Sequence, residues 1–473
     1  MRPIINYLKN YLKLLFLKFG INIQILNKRD IEIKKVEFIK NIKNKEKYLK
    51  KLLKKYPDNP FLQIEFYINK KIIYKESYND IKKYHEKYKS WLKKTGLENF
   101  NVEFIDSKIV EGAIGNLYAL ETLLLANNLN IRPLKKICLV TDEQFKPSNK
   151  TLFEYFKDYL VIIEDNFLSR DLKEFSKKLE VPLGVCLNFN NQSLIRDEAA
   201  NFVQSMQDNQ EEKKPLFQIK HQHKSKGLKE LEKFKLPKDA WYVTLCVREP
   251  GYRNETAQNT KEKFRNANPL NYLPAIKTII SAGGYVFRMG HPTKIKMPKI
   301  EGLIDYANSE NKSELMDIFL AATSKFCIGN SSGYFRIPRY FSIPVLLADG
   351  PVHAEYFSLR KEDLYLPRIF KSKDDNKLYN FKDMFSLPFS LLVNDDYYLK
   401  HKIEVIENSS DEIKFATLEM IDKMADVNKL KNNPNQVLFK KKIESSVFQQ
   451  TQRQQTAFAD ISQSFLEKNL NLL

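Results

Sequence analysis

Long apolar runs are missing from this chain of 473 residues. None reaches the roughly 18–20 residues that a membrane-spanning helix needs. A signal peptide is not expected either, because Lys13 interrupts the first apolar stretch and no small-residue cleavage site follows. Glycine is scarce, at 14 residues. No G-x-G-x-x-G follows a strand-like run, and there is no Walker loop, G-x-S-x-G or H-E-x-x-H. P-loop phosphate chemistry, nucleophile-elbow hydrolysis and zincin chemistry therefore have no motif to rest on. The 4 cysteines form no C-x-x-C pair, so zinc ligation lacks its spacing. Cys138, Cys186, Cys246 and Cys327 sit in the apolar runs KICLV, PLGVCLNF, VTLCV and KFCIG. Buried free thiols in a reducing cytoplasm account for them. The acidic pairs Asp374-Asp375 and Asp395-Asp396 lack strand context and read as turns, so no metal site is expected.

What is present is enough for sizeable cores: 43% hydrophobic and 12% aromatic residues. The length implies two domains plus extensions. The net charge is +20, and the first hundred residues hold about 25 basic against about 10 acidic side chains, so most of it sits there. An anionic partner or a Lys-rich solvated face both fit that excess. Leu8, Leu12, Leu15 and Phe19 fall at helical spacing, with Lys9 and Lys13 on the far side. Such a helix lies in an anionic membrane interface, or docks on the protein's own core. We take the first as the expectation for residues 1–20, with the protein cytoplasmic and peripheral on the inner face of the membrane. The lysines are not interleaved with aromatics for base stacking, so nucleic acid is not an expected partner.

Periodicity divides the chain into four parts. Residues 1–100 read as a basic helical extension, with a helix over 36–56, an Asn59-Pro60 helix start, and a helix carrying Ile81, Tyr84, Tyr88, Trp91 and Leu92. Residues 101–236 alternate strand-like and helical runs from VEFID to PLGVCLNF, and close on a charged stretch that reads as a linker or mobile loop. Residues 237–400 repeat the alternation from WYVTLCV to IPVLLAD. Their strands are continuous apolar runs, as expected of parallel strands covered on both faces. Residues 401–473 read as a helical tail.

Four constellations carry candidate chemistry. Arg248, in Val247-Arg248-Glu249-Pro250-Gly251-Tyr252, stands where a buried strand opens into a loop, the place where such sheets bind ligands. A guanidinium there can clamp a diphosphate, or simply pair with Glu249. Gly329-Asn330-Ser331-Ser332-Gly333 turns from a strand into a helix. Its small residues, hydroxyls and helix start suit phosphate, and equally suit plain capping. Arg288-Met289-Gly290-His291 ends the next strand. Arg288 and His291 are candidates for phosphate or base, and His291 also fits a surface loop. Glu111-Gly112-Ala113-Ile114-Gly115-Asn116 is a small-residue turn whose Glu111 is either a general base or an ordinary acidic residue at a helix start.

The stretch 242–368 resembles bacterial GT-B glycosyltransferases of surface-polysaccharide type. The resemblance rests on Val247-Arg248-Glu249, Arg265-Asn266 before Asn271-Tyr272-Leu273-Pro274-Ala275-Ile276, Arg288-Met289-Gly290, Ile304-Asp305-Tyr306-Ala307 and Ser331-Ser332-Gly333. Ile461-Ser462-Gln463-Ser464-Phe465-Leu466 resembles that family's C-terminal end. More distantly, the V-R strand end and the S-S turn are similar to those of GDP-fucose-dependent fucosyltransferases. The resemblance departs at Asn116, where the family carries histidine, and at His291, where an acid often follows R-M-G.

The resemblance implies an α/β, GT-B-like fold: two doubly wound Rossmann-type domains facing a cleft, with 101–236 on the acceptor side and 237–400 binding the donor. It implies sugar transfer from a nucleotide-sugar co-substrate to a glycan or lipid-linked glycan, with no metal or other cofactor. Arg248, Arg265, Asn266, Arg288, Gly290, His291, Asp305, Gly329, Asn330, Ser331, Ser332 and Gly333 are then the expected donor-binding residues. Arg248, Glu249 and Glu111 are the expected catalytic ones, the two acids as candidates for acceptor base. The rivals are a non-catalytic nucleotide- or sugar-binding protein on the same fold, and a basic membrane-surface adaptor.

Overall fold

The computed structural model describes residues 42–55, 78–131, 134–178, 186–189, 192–195, 197–208, 210, 214–250, 262–292, 295–386, 389–391, 395–428, 433–444 and 458–473. The chain forms two compact units, Met1–Glu86 and Lys87–Leu473. In the first, the Lys-rich helix Ile42–Lys55 buries Leu49 and Leu52, as its apolar stripe predicts. Lys54 and Lys55 close its last turn, where positive charge opposes the helix dipole. The expected membrane helix of residues 1–20 and the Asn59-Pro60 turn lie outside the described residues.

The unit boundary falls at residue 86, not near 100, for a packing reason. The helix Tyr78–Thr95 ends against the first strand: Tyr88 and Trp91 set their ring edges on Phe104, and the Tyr88 hydroxyl donates to the Val102 carbonyl at 2.8 Å. That strand, β1 (Val102–Asp106), pairs in parallel with β2 (Lys136–Thr141), and β2 with β3 (Leu160–Glu164). Among the described residues these strands step in one direction, from β1 to β2 to β3. Between β1 and β2 runs the helix Tyr118–Asn128, buried along Ala119–Ala126. The described residues of the run PLGVCLNF do not extend the sheet. Its end, β4 (Cys186–Phe189), pairs antiparallel with β5 (Gln192–Ile195).

The second sheet is doubly wound. Its strands are β6 (Tyr242–Cys246), β7 (Tyr285–Arg288), β8 (Leu303–Ile304), β9 (Cys327–Gly329), β10 (Val345–Gly350), β11 (Leu364–Pro367) and β14 (Asp460–Ile461), ordered β14-β11-β10-β9-β6-β7-β8 and all parallel. From β6 the chain steps out to β7 and β8, returns to β9 on β6's other side, and proceeds to β10 and β11. The reversal opens a crevice at the carboxyl ends of β6 and β9. Helices Leu273–Ser281 and Glu314–Thr323 connect the strands, the second capped by the Ser313 hydroxyl on the Met316 N–H.

Two expectations need correction. The tail is not wholly helical: β13 (Ile403–Ile406) pairs antiparallel with β12 (Ile369–Ser372), and β14 completes the main sheet beside β11. Asp460 tolerates this buried edge because Lys423 and Lys440 both pair with it. The described part of the 190–236 stretch is no loose linker. Phe217 packs on Tyr155 and Phe156 of the first half and on Tyr340 and Phe341 of the second. Its N–H donates to the Tyr340 carbonyl at 2.9 Å. Gly227 lies so close to the Phe319 ring that any Cβ would collide with it.

Candidate active site

Register brings the first two constellations together. Cys246 and Gly329 are cross-strand partners at the ends of β6 and β9. Arg248 and the Asn330–Gly333 turn therefore leave the sheet side by side at the switch point. Asn330, fully buried, stitches the site. Its Oδ1 accepts from the Arg248 N–H at 2.9 Å, and its Nδ2 donates to the Arg265 carbonyl at 3.0 Å. Arg265 Nε donates to the Ser331 carbonyl at 2.8 Å, and Arg248 Nε to Asn266 Oδ1 at 3.1 Å. Two guanidiniums thus converge. Glu262 Oε2 bridges them, 3.2 Å from Arg248 Nη1 and 2.7 Å from Arg265 Nη1. Gly251 and Tyr252 lie outside the described residues.

The serine turn is placed differently from expectation. Ser331 is buried, and its hydroxyl donates to Glu355 Oε2 at 2.5 Å. The Ser332 hydroxyl is buried beside the Cys246 thiol, whose titration burial pushes up to about 12. The helix after the turn, Arg336–Tyr340, is a single short turn, and the Arg336 guanidinium lies over the Tyr118 ring. Backbone approach, not a helix start, is what the turn supplies. A Cβ on Gly333 would stand 2.6 Å from Gly115 Cα. The two small-residue turns therefore touch main chain to main chain, and Gly115 and Gly333 join the halves of this unit. Gly333→Ala cannot be relieved by a side-chain rotation. We expect it to cost about 1–3 kcal/mol in chemical denaturation, together with lower turnover; unchanged stability would show the turns free to part.

The third constellation does not join the first. Arg288 is 1% exposed. It pairs with buried Glu249, donates to the Ile295 carbonyl at 2.7 Å, and reaches Asp305 at 3.3 Å. β7 flanks β6 on the side opposite β9, so Arg288 does not lie between Arg248 and Ser331. A guanidinium sealed among two carboxylates and a carbonyl holds the end of the strand rather than a ligand. Glu249 is likewise buried against Arg288. Asp305 also accepts from Asn308 Nδ2 at 3.0 Å. Gly290 takes φ +119, open to few other residues, and His291 is exposed beside the Pro292 carbonyl.

Glu111 stands on the other half, at the end of the helix Lys108–Glu111, where its Oε1 accepts from the Ser107 hydroxyl at 2.7 Å. Nearby, Lys108, Asp142, Asn166, Arg170, Lys173 and Glu174 line a shallow basin of about 240 Å³ beyond the carboxyl ends of β1–β3. Lys173 donates to Asp142 at 2.6 Å and holds that carboxyl below its usual range. Burial draws the Lys173 ammonium down, but Asp142 and the charge of Glu111 leave it raised.

Several residues of the site carry no sequence signal. Buried Arg368 grips Asp349 through Nε at 2.7 Å and Nη2 at 2.6 Å, and donates to the carbonyls of Phe264 at 2.7 Å and Asn266 at 2.8 Å. Asp395, expected in a turn, starts the helix Asp395–Lys400 and accepts from the N–H groups of Lys263 and Phe264. Both fix the loop that presents Glu262, Arg265 and Asn266. Among the described residues, no three His, Cys, Asp or Glu side chains converge as metal ligands, and no helix is long and apolar enough to cross a membrane.

No protein-family model matches the chain, and no curated protein sequence does. The solved structures similar to it in part include two glycosyltransferases. One is E. coli ADP-heptose LPS heptosyltransferase II, with 13% identity and a TM-score of 0.38 over 57% of this chain and 90% of that one. The other is a family 9 glycosyl transferase from Veillonella parvula DSM 2008, with 11% identity and a TM-score of 0.35 over 57% and 86%.

Proposed function

We propose that this chain is a glycosyltransferase of GT-B plan, moving a sugar from a nucleoside-diphosphate donor to a glycan or lipid-linked hydroxyl. One observation carries the reading. Two guanidiniums, Arg248 and Arg265, converge at the switch point of the doubly wound sheet, beside the turn that touches the first half at Gly115. Breaking the bond from the anomeric carbon to the diphosphate leaves negative charge on the phosphate oxygens. Two fixed cations in a partly buried crevice stabilise that charge as it develops. The acceptor oxygen bonds to the anomeric carbon as the diphosphate departs with the electron pair. Glu111, on the first half near the mixed-charge basin, is our candidate to take the acceptor's proton. Asn266, Asn330 and Ser331 hold the cations in place; Arg288, Glu249 and Asp305 hold the neighbouring strand end. The two guanidiniums do the work that a divalent ion does elsewhere, so turnover without metal is part of the proposal. Peripheral attachment to an anionic membrane through residues 1–20 belongs to it as well.

A thermal-shift screen with GDP-, UDP-, dTDP- and CMP-sugars tests the donor class. A ligand at 100 times its Kd stabilises the native state by about 2.7 kcal/mol. At least one diphosphate sugar should raise the melting temperature, and CMP-sugars, with a single phosphate, should do so least. No shift with any diphosphate sugar would sink the reading.

A further inference from the structure

The arginine pair is occupied from within. Arg248 and Arg265 keep only 12% and 21% of their side-chain surface exposed, and a single oxygen of Glu262 touches both. One anionic oxygen shared by two guanidiniums is an arrangement that a non-bridging phosphate oxygen can adopt. We propose that Glu262 is a built-in stand-in for the donor's diphosphate: it occupies and neutralises the two cations while the site is empty, and the incoming phosphate displaces it. This rests on the reading of the crevice as a nucleoside-diphosphate site.

The anchoring is asymmetric in the required sense. Arg248 is held by Asn266 Oδ1 and, through its backbone, by Asn330; Arg265 is held by the Ser331 carbonyl. Neither hold involves Glu262, so both cations stay when the carboxylate leaves. Glu262 is the exposed partner, at 43%, and rotation of its side chain returns it to water. Its backbone need not follow, because Asp395 fixes the next two N–H groups, Lys263 at 2.8 Å and Phe264 at 3.0 Å. The stand-in neutralises two like charges while the site is empty, and it lowers apparent affinity by the fraction of time the site is closed. Donor binding is therefore tuned by a residue that makes no bond to the donor.

The sign of one substitution separates a stand-in from a positioning ion pair. The probes are GDP, UDP and inorganic pyrophosphate, titrated calorimetrically into the full chain and into Glu262→Gln and Glu262→Ala. A site closed about nine-tenths of the time gives about tenfold tighter binding when the carboxylate is removed. The gain should shrink to less than about twofold when Arg248→Ala is added, because the coupling runs through that pair. Binding that is unchanged or weaker in both Glu262 variants overturns the inference. Pyrophosphate binding that tightens while neither nucleotide binds would keep the stand-in and remove the proposed donor class. Nucleotide binding that does not tighten would do the reverse. Absence of binding by every protein tested overturns both.

Discussion

Arg248→Ala should lower turnover by about 100- to 1,000-fold, the effect of deleting one preorganised charge at a reacting oxyanion, and should leave the melting temperature almost unchanged. The two halves of this expectation have separate origins. What Arg248 contributes to the fold is mainly its backbone N–H on Asn330, which alanine keeps. What it contributes to the site is a guanidinium at the switch point, which alanine deletes. Arg265 remains, but without its neighbour it faces the diphosphate alone and is still paired with Glu262. Steady-state kinetics beside a thermal melt separates the two effects. Turnover within threefold of the parent would remove Arg248 from the chemistry, and a collapsed melt would move it into the framework.

The second large effect belongs to a residue with no part in the reaction. Arg368→Ala should destabilise the protein by about 3–5 kcal/mol, the usual result of removing one partner from a buried ion pair. Asp349, 1% exposed, would lose both bonds from the guanidinium and keep the Asn408 N–H at 3.0 Å. The carbonyls of Phe264 and Asn266 would lose a buried donor. Pairing Arg368→Met with Asp349→Asn should recover only part of the loss: it removes the uncompensated charge, while the Phe264 and Asn266 carbonyls still lack a donor. Denaturant midpoints at constant slope measure this. A single-variant loss under 1 kcal/mol would mean that water enters and replaces the guanidinium. Donor affinity should fall in parallel, since Asn266, which steadies Arg248, hangs from the same bonds.

Much of this architecture is legible in the sequence because buried parallel strands write themselves as short apolar runs. VTLCV, YVFR and KFCIG become neighbouring strands, and the residues just past them are the ones a crevice exposes. Arg248 and Asn330–Gly333 are legible in that way. Arg288 shows the limit of the same rule: it too is an arginine at a strand end. Its fate is decided by Glu249, which follows Arg248 in the chain. Adjacent residues in an extended segment point to opposite sides. Arg248 faces the crevice, and Glu249 turns inward to Arg288. Which of two consecutive side chains faces which way is set by strand order, and strand order is not local. β14 is illegible for another reason. Two residues, one of them acidic, make no pattern; Asp460 becomes a strand residue only because lysines 20 and 37 positions away neutralise it. Asp395 is likewise meaningful only across 131 and 132 residues, the separations to Phe264 and Lys263.

The last strand of the main sheet has a consequence for how the protein comes into being. Leu364 and Tyr365 of β11 are fully buried, and their outer neighbours are Asp460 and Ile461. On a ribosome adding about 5–20 residues per second, the edge of β11 emerges several seconds before the segment that covers it. During that interval an apolar strand with unpaired main-chain groups is open to any other extended chain. The nascent protein therefore passes through a vulnerable stage that ends only when Lys423 and Lys440 receive Asp460.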